Sequence, residues 1–530
     1  MAESPNLRRN TKQLWLIGSA LHFARDSDGI EVETRKFHPS VATRVPMLES
    51  VDLLDAYVRD SLEDNRFYSK QSWVPPAKTA DAEKIHDVVI VGAGQSGLAL
   101  AFQLKLRGVR RIAVVDSQEK DRAGPWWSFA RMPRMRNPKM IPGPDCGNPL
   151  LRFKSWFCAA YSEVEYNSFD FVPLKYWQEY LSWFRAVLEI ETINNTTVTN
   201  IEWDEAQRCL LLETNGPGNA PLRVAARKVC LATGMTAAGS WEPPEALVDG
   251  LPRRSWFGTW EQIPWQELAG KDIAVIGAGA SGFDNASYAL ESDCRSVTVI
   301  ARSPFQKKSL FVELFHGRDD SDLLLSGEAG ANPASIMDAM LDCHVLLPDM
   351  DRIRLISRLF KNGRAPVDPD YLSRVDKFEQ MTILEGWPIR RIDYIPRTNK
   401  VLIAGVGERE REFDRVIFAT GPKVGLKYRP ELRGLMDGIL TWGDWVDNAE
   451  LSCLELSAYP KLTPNYQFQS KQGAESGGLA NVYCLAELVH NTIGMHSLQY
   501  VAPKVAAHIA SSLFSEHIED TIAFIDSLVD

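Results

Sequence analysis

No Cys-x-x-Cys pair occurs anywhere in the 530 residues; the eight cysteines stand apart at 146, 158, 209, 230, 294, 343, 453 and 484. That spacing speaks against a zinc ribbon and against a redox dithiol, and fits isolated thiols in a reducing compartment. Basic residues are not in excess: 59 Lys and Arg stand against 69 Asp and Glu, a net charge of −10. A nucleic-acid partner would want a basic surface, and the runs Arg131–Lys139 and Lys307-Lys308 are too short to make one. No uninterrupted apolar run approaches the ~18 residues of a spanning helix. Arg8, Arg9 and Lys12 precede an apolar stretch at Leu14–Leu21, but it is short and no A-x-A site follows, so a cytoplasmic protein is expected. No metal cluster, Ser/His/Asp order or pair of carboxylates stands out. What remains is 45 % apolar and 24 % charged, the composition of a globular protein too long for one ordinary core.

Two glycine-rich loops are the informative features. Val89-Ile90-Val91-Gly92-Ala93-Gly94-Gln95-Ser96-Gly97 and Val275-Ile276-Gly277-Ala278-Gly279-Ala280-Ser281-Gly282 each follow an apolar run of strand type and open a segment of helix type. That context is what a dinucleotide fingerprint requires. The first glycine allows the tight turn, the second lets the backbone approach a pyrophosphate, and the third lets helix pack on strand. The anion then sits at the helix N-terminus.

The next strand in each unit names the nucleotide. Ile112–Val115 ends at Asp116 and Ser117, and a carboxylate there accepts from ribose hydroxyls and repels a 2′-phosphate. Val297–Ala301 ends at Arg302 and Ser303, and a guanidinium suits that phosphate. The first loop is therefore expected to hold FAD or NAD, the second NADP. Val229–Gly234 and Phe413–Gly421 both end a strand in Ala-Thr-Gly, at Thr233-Gly234 and Thr420-Gly421. Val198, early in an expected strand Thr197–Trp203, completes the first nucleotide's surroundings.

These signals predict an α/β chain of two nested Rossmann-like dinucleotide-binding domains. Residues 1–80 form an N-terminal extension, read as a clasp or oligomer contact, with an apolar segment Leu14–Phe23, a strand Gly29–Phe37 and a helix Val51–Asp64. Residues 81–248 begin the first domain, with a long loop over Gly124–Pro149. Residues 249–412 form the second domain, with a helical insertion at about 305–372, and 413–530 complete the first. In the helix Leu174–Leu188 the aromatics Tyr176, Trp177, Tyr180, Trp183 and Phe184 are expected to pack.

At this point the chain resembles the class B flavoprotein monooxygenases, which include flavin-containing monooxygenases, amine N-hydroxylases and Baeyer–Villiger enzymes. Gly124-Pro125-Trp126-Trp127-Ser128-Phe129-Ala130-Arg131-Met132 resembles the glycine-tryptophan loop of that superfamily and is closest to a bacterial, urate-hydroxylase-like subgroup. Arg136-Asn137-Pro138-Lys139 is similar to an Asn-x-Pro-Lys segment, one residue shorter, and Gly494-Met495-His496-Ser497 to the last flavin-contacting turn of the N-hydroxylases. The resemblance covers about 86–515. It implies FAD and NADPH as cofactors, O2 as co-substrate, and a C4a-(hydro)peroxyflavin that oxygenates a small metabolite. It also implies Asn137 as the donor facing the flavin, with Arg131 and Trp126 as further catalytic candidates and Trp126 and Trp127 as flavin walls. N-hydroxylation of an amine or amino acid leads; Baeyer–Villiger oxidation, ring hydroxylation or halogenation, and a reductase or oxidase without oxygen transfer are the alternatives. Where the family carries a Phe-x-Gly-x-x-x-His fingerprint, this chain has Phe257-Gly258 followed by Gln262, which weighs against the ketone-to-ester reaction. The substrate pocket is expected between Gly124–Pro149, the insertion (Lys308, Phe311, Glu313 and Leu314) and Gly494–Ser497. The partners expected are the small-molecule substrate and O2, with a homo-oligomer allowed for, and without nucleic acid or membrane.

Overall fold

The computed structural model describes residues 50–64, 72–77, 85–304, 339–362, 369–407, 409–446, 454–471, 478–485 and 497–528. The expected segments Leu14–Phe23 and Gly29–Phe37, the pocket residues Lys308, Phe311, Glu313 and Leu314, and Gly494, Met495 and His496 lie outside them.

The first sheet has seven strands. Its path runs Thr192–Ile193, Ile112–Val115, Ile85–Val91, Pro221–Leu231, Cys209–Asn215, Thr197–Asp204, and Val482–Cys484 also pairs with Pro221–Leu231. Ile85–Val91 is buried along its length except for half-buried His86, the mark of a parallel strand covered on both faces. It pairs in parallel with Ile112–Val115 and with the upper half of Pro221–Leu231. The lower half of that long strand pairs antiparallel with Cys209–Asn215, and its last three residues receive Val482–Cys484 in parallel. The C-terminal part of the chain thus returns to the first sheet. The helix Gln95–Leu106 buries every residue from Gly97 to Leu104, and Leu498–Ser515 packs against it.

The second sheet has five parallel strands in the order Trp256–Gly258, Arg415–Phe418, Asp272–Ile276, Ser296–Ile300, Met381–Leu384. The strand Arg415–Phe418 lies inside this sheet, between Trp256–Gly258 and Asp272–Ile276. The changeover expected at 413 therefore moves beyond 418: the apolar run that repeats the first unit's Ala-Thr-Gly ending closes the second sheet before the chain leaves it. A three-stranded antiparallel sheet, Ile389–Ile395, Lys400–Gly405 and Glu410–Phe413, precedes it.

The stretch Gly124–Pro149, expected as loop, contains a strand, Arg134–Pro138, paired antiparallel with Phe171–Pro173. Its sequence is Arg-Met-Arg-Asn-Pro, so no apolar alternation announces it, and its partner has only three residues. The helix Val51–Asp64 buries Leu54, Val58 and Leu62, a spacing of four that makes one helical face. That face packs on Phe153–Ala160 and Leu174–Val187, and Trp183 Nε1 donates to Asp55 at 2.7 Å. The aromatics of Leu174–Val187 do pack: Tyr180 meets Trp177, Trp183 and Phe184 at centroid separations of 5.1, 6.0 and 6.1 Å.

Candidate functional site: two glycine loops and the strand ends beside them

The two loops are built alike. Gly92 N donates to Val115 O at 2.7 Å, and Gly277 N to Ile300 O at 3.0 Å. Ala232 N donates to Val91 O and Ala419 N to Ile276 O, both at 2.8 Å. Each loop therefore sits at the carboxyl end of its first strand, with the second strand on one side and the Ala-Thr-Gly strand on the other. That crevice is where open α/β sheets take ligands.

The glycines divide by what demands them. Gly92 and Gly277 have φ of +111° and +114°, a region that favours glycine. A Cβ on them would lie 2.4 Å from Ala232 O and 2.2 Å from Ala419 O. Gly97 and Gly282 would place a Cβ 1.9 Å and 2.0 Å from the carbonyl oxygens of Gly92 and Gly277. The middle glycines differ. Gly94 (φ −70°) and Gly279 (φ −87°) have extended backbone that any residue adopts. A Cβ on Gly94 would meet nothing nearer than Gly124 Cα at 3.9 Å, and one on Gly279 nothing within 4 Å. Neither conformation nor packing requires glycine at these positions, so their smallness keeps clear a place beside the helix for something outside the protein. Each is also the N-cap of its helix and supplies no side-chain cap, so the first-turn N–H groups keep their capacity for an anion. The side-chain oxygen Oε1 of Gln95, in the first turn after Gly94, is buried without a hydrogen-bond partner. Ser96, Ala280 and Ser281 complete the two first turns. These features fit a dinucleotide pyrophosphate at both loops.

The strand ends differ in charge. Asp116 is buried; its Oδ2 accepts from Ala93 N and its Oδ1 from Gln118 N, each at 2.7 Å. Burial pushes its carboxyl up, and the two amides pull it back toward the ionised form. One amide on each oxygen leaves acceptor capacity for ribose hydroxyls. Thr196 N donates to Asp116 O at 2.9 Å, which brings the start of Thr197–Asp204 and buried Val198 beside this end. A cleft lined by Ala93, Asp121, Ala123, Gln178, Arg185 and Asn194 opens there. In the second unit the place equivalent to Asp116, one residue past the strand-end carbonyl that accepts from the first glycine, is Ala301. Arg302 stands where the first unit has exposed Ser117, and Arg302 and Ser303 are exposed. The second unit has both lost the carboxylate and gained a guanidinium. Thr233 and Gly234, and Thr420 and Gly421, close the other side of each crevice; Gly234 and Gly421 take positive φ, with open space at a Cβ.

The remaining candidates separate. Trp126 is half-buried, with its ring edge 3.0 Å from where a Cβ on Gly124 would lie, and Trp127 is exposed. Asn137 is half-buried on Arg134–Pro138. Ser497 is buried and stands at the N-cap position of the helix Leu498–Ser515. Lys139 seats its ammonium over Tyr166 at 4.5 Å and donates to Tyr166 O. Arg131, expected among the catalytic groups, is committed elsewhere. Its guanidinium is buried and donates to Phe129 O, to Thr259 O at 3.0 Å and to Glu261 O. Burial pulls its pKa down to about 10. It ties the tryptophan loop to the segment after Trp256–Gly258 through three of its five N–H donors. The basic run around Arg131 hid this, because a buried Arg holding carbonyls and an exposed one holding phosphate read alike in sequence.

One group had no place in the sequence reading. Asp284, in the second turn of Ala280–Glu291, is buried; it pairs with Arg136 at 3.2 Å and with Arg374 at 3.4 Å. An acid inside the otherwise uncharged run Ala280–Leu290 is the signal that could have found it.

Among the described residues no group of His, Cys, Asp or Glu could hold a metal ion, and no helix is long and apolar enough to cross a membrane. Residues 86–310 match the family model described as pyridine nucleotide-disulphide oxidoreductase. The FAD-dependent urate hydroxylase of Xanthomonas campestris pv. campestris is 28 % identical over 469 residues, 86 % of this chain and 91 % of that one. Among solved structures, the ornithine hydroxylase of Pseudomonas aeruginosa superposes with a TM-score of 0.59 at 16 % identity, over 81 % of this chain and 99 % of its own. The Kutzneria ornithine N-hydroxylase, solved with reduced FAD, NADP+ and L-ornithine, gives 0.58 at 15 % identity, over 81 % and 99 %. Residues 86–310 thus resemble a pyridine nucleotide-disulphide oxidoreductase domain, and the chain shares its fold with these two ornithine hydroxylases.

Proposed function

We propose that the chain is an NADPH- and O2-dependent FAD monooxygenase acting on a small nitrogen-bearing metabolite. The observation that carries this reading is the pair of middle glycines, Gly94 and Gly279, whose smallness no protein atom requires. FAD would be held by Gly92, Gly94, Gln95, Ser96 and Gly97, with Asp116 on its ribose. NADPH would be held by Gly277, Gly279, Ala280, Ser281 and Gly282, with Arg302 and Ser303 at the 2′-phosphate. The FAD-binding part comprises 81–248 and the chain after Thr420-Gly421, and the NADPH-binding part lies between them.

An FAD held there would supply the chemistry of accepting a hydride from NADPH and activating O2. The chain's own work is to orient the ring, exclude water and hold a donor near the reacting oxygen. Asn137 is assigned as that donor and Trp126 as a wall of the ring; Ser497, the last residue of Gly494–Ser497, is assigned to the ring's surroundings. Arg131 is assigned a supporting role, holding the tryptophan loop in place.

Two substrate classes have support. A heteroaromatic ring is favoured by the urate hydroxylase, a relative over 86 % of this chain. An amine or amino acid giving an N-hydroxy product is favoured by the ornithine hydroxylases, which share the fold at 15–16 % identity. The sequence relationship is the stronger support, and the heteroaromatic class is placed first. Baeyer–Villiger chemistry has least, since exposed Gln262 stands where the fingerprint has histidine. The test is a screen of NADPH consumption with heteroaromatics, amines and ketones, reading peroxide release and product mass. A heteroaromatic that suppresses peroxide and gains one oxygen supports the reading; suppression by amines alone moves the assignment to N-hydroxylation, and by ketones alone to ester formation.

A further inference from the structure

Three separate pieces of chain meet at Asp284. The carboxylate lies in the helix that opens at the second glycine loop, four residues after Ala280. Its Oδ2 accepts from Arg136 Nη2 at 3.2 Å and its Oδ1 from Arg374 Nη1 at 3.4 Å. Arg136 belongs to the strand Arg134–Pro138; its Nε donates to Tyr371 Oη, and its guanidinium lies 4.9 Å from the Tyr371 ring centroid. Tyr371 and Arg374 share the helix Pro369–Val375, and Arg374 also holds Glu291, at 2.8 Å, and the carbonyl of Arg131, at 3.4 Å. Arg131 in turn holds Thr259 O. A buried carboxylate held between Arg374, largely buried, and Arg136, partly exposed, is a firm joint: removing the Arg374 arm leaves the carboxylate short of a partner where water hardly reaches it, and removing the Arg136 arm frees the strand.

The joint has functional consequences because of what lies one residue away on each side. Asn137 is the next residue on the same strand, so Arg136, fastened to Asp284, fixes the backbone from which Asn137 projects. The helix carrying Asp284 is the one whose first turn receives the second dinucleotide. We propose that the Asp284–Arg136 pair, braced by Tyr371 and Arg374, couples occupation of the second glycine loop to the position of the strand bearing Asn137. Asp284 is a positioning residue in this account and touches no ligand. The proposal rests on the FAD and NADPH assignment above. It explains why the chain places an acid in a helix turn that packing alone would fill with an apolar side chain.

The pair also has a pH signature. Burial pushes the Asp284 carboxyl up to about 6 against the pull of Arg136, Arg374 and Arg131; Tyr371 and Glu291 complete its charged or titratable surroundings. Below that pH the carboxyl is neutral and the joint loses its charge-assisted bonds. The coupling should therefore weaken as pH falls through about 6 in the wild type and be independent of pH in Asp284→Asn.

The experiment titrates NADP+ into the oxidised, FAD-loaded full-length protein. It follows binding by calorimetry and the response of the flavin environment by its visible difference spectrum, neither of which needs turnover. The variants are Asp284→Asn, Arg136→Gln at a partly exposed position, and Tyr371→Phe, which keeps the ring and removes the acceptor hydroxyl. The expected result is that NADP+ still binds, with Kd within about threefold of wild type, while the difference spectrum shrinks about fivefold or more, the scale of a typical coupling between sites. Peroxide release per NADPH consumed rises in parallel. A wild-type spectral response preserved in Arg136→Gln and Tyr371→Phe overturns the coupling alone. A wild type that takes up FAD but binds no NADP+ overturns the assignment on which it rests, and the coupling with it.

Discussion

Gly94 and Gly279 give the sharpest residue-scale predictions, because the protein leaves room for a Cβ at both and the proposed ligands do not. Gly94→Val is expected to fold with near-wild-type stability and to purify colourless, since Cβ meets nothing closer than 3.9 Å. Gly97→Ala is expected to lose stability instead, by about 1–3 kcal/mol or more, because its Cβ would lie 1.9 Å from Gly92 O and the backbone must shift. Urea denaturation and flavin content separate the two; a Gly94→Val protein that stays yellow would remove the main support for FAD at this loop. Arg302→Ala tests the second loop. Loss of the charge-assisted bonds to a 2′-phosphate, about 1.5–3 kcal/mol, should lower the NADPH-over-NADH preference in kcat/KM by roughly 10- to 150-fold. At this scale the sequence was highly legible: Gly92–Gly97, Asp116, Gly277–Gly282 and Arg302 all stand at the carboxyl ends of their strands. Legibility failed where function depends on a partner distant in sequence. Arg131 and Arg136 look alike in a basic run, and only their partners, Thr259 and Glu261 for one and Tyr371 and Asp284 for the other, tell a tie from a binding group.

Elements carry the next set of consequences. Arg131 fastens the tryptophan loop to the segment after Trp256–Gly258 through three backbone carbonyls. Arg131→Met keeps the stem and orphans those carbonyls, at a cost of about 2–4 kcal/mol. Its urea midpoint should fall while FAD content is retained; a midpoint equal to wild type would show that the guanidinium is not a tie. The helix Ala280–Glu291 has a signature in stability against pH. The Asp284 carboxyl is raised from 3.8 to about 6 in the folded protein, so the folded state binds that proton more tightly than the unfolded chain. Its favourable contribution is present below about 4 and is lost as pH rises to about 6. The difference in stability between wild type and Asp284→Asn should change across that window and be flat above it; a difference constant from pH 4 to 7 would contradict the burial that raises the group. Elements were legible where a continuous apolar run marked them, as in Ile85–Val91 and Gln95–Leu106, or where apolar residues recurred every four, as in Val51–Asp64. Arg134–Pro138 was not legible, because a five-residue strand of Arg, Met, Arg, Asn and Pro is held by its pairing with Phe171–Pro173 and not by any hydrophobic pattern of its own.

For the whole molecule, the two sheets are interleaved along the chain: the second, Trp256–Gly258 through Arg415–Phe418, is completed before Val482–Cys484 pairs beside Pro221–Leu231. The repeated Ala-Thr-Gly endings made this nesting readable, and the changeover was misplaced only because one such ending straddles it. The interleaving brings the second glycine helix against the loop and strand that follow the first nucleotide strand, as a hydride donor and a flavin sharing one site would need. The central claim is that this arrangement serves oxygen transfer. The most direct measurement supplies the FAD-loaded protein with NADPH, isotopically labelled O2 and the heteroaromatic or amine that best suppresses peroxide release, and weighs the product. One labelled oxygen atom in the product for each NADPH consumed is the expected result. NADPH oxidation that delivers its oxygen entirely as hydrogen peroxide with every such compound would contradict it, and would make the protein an oxidase.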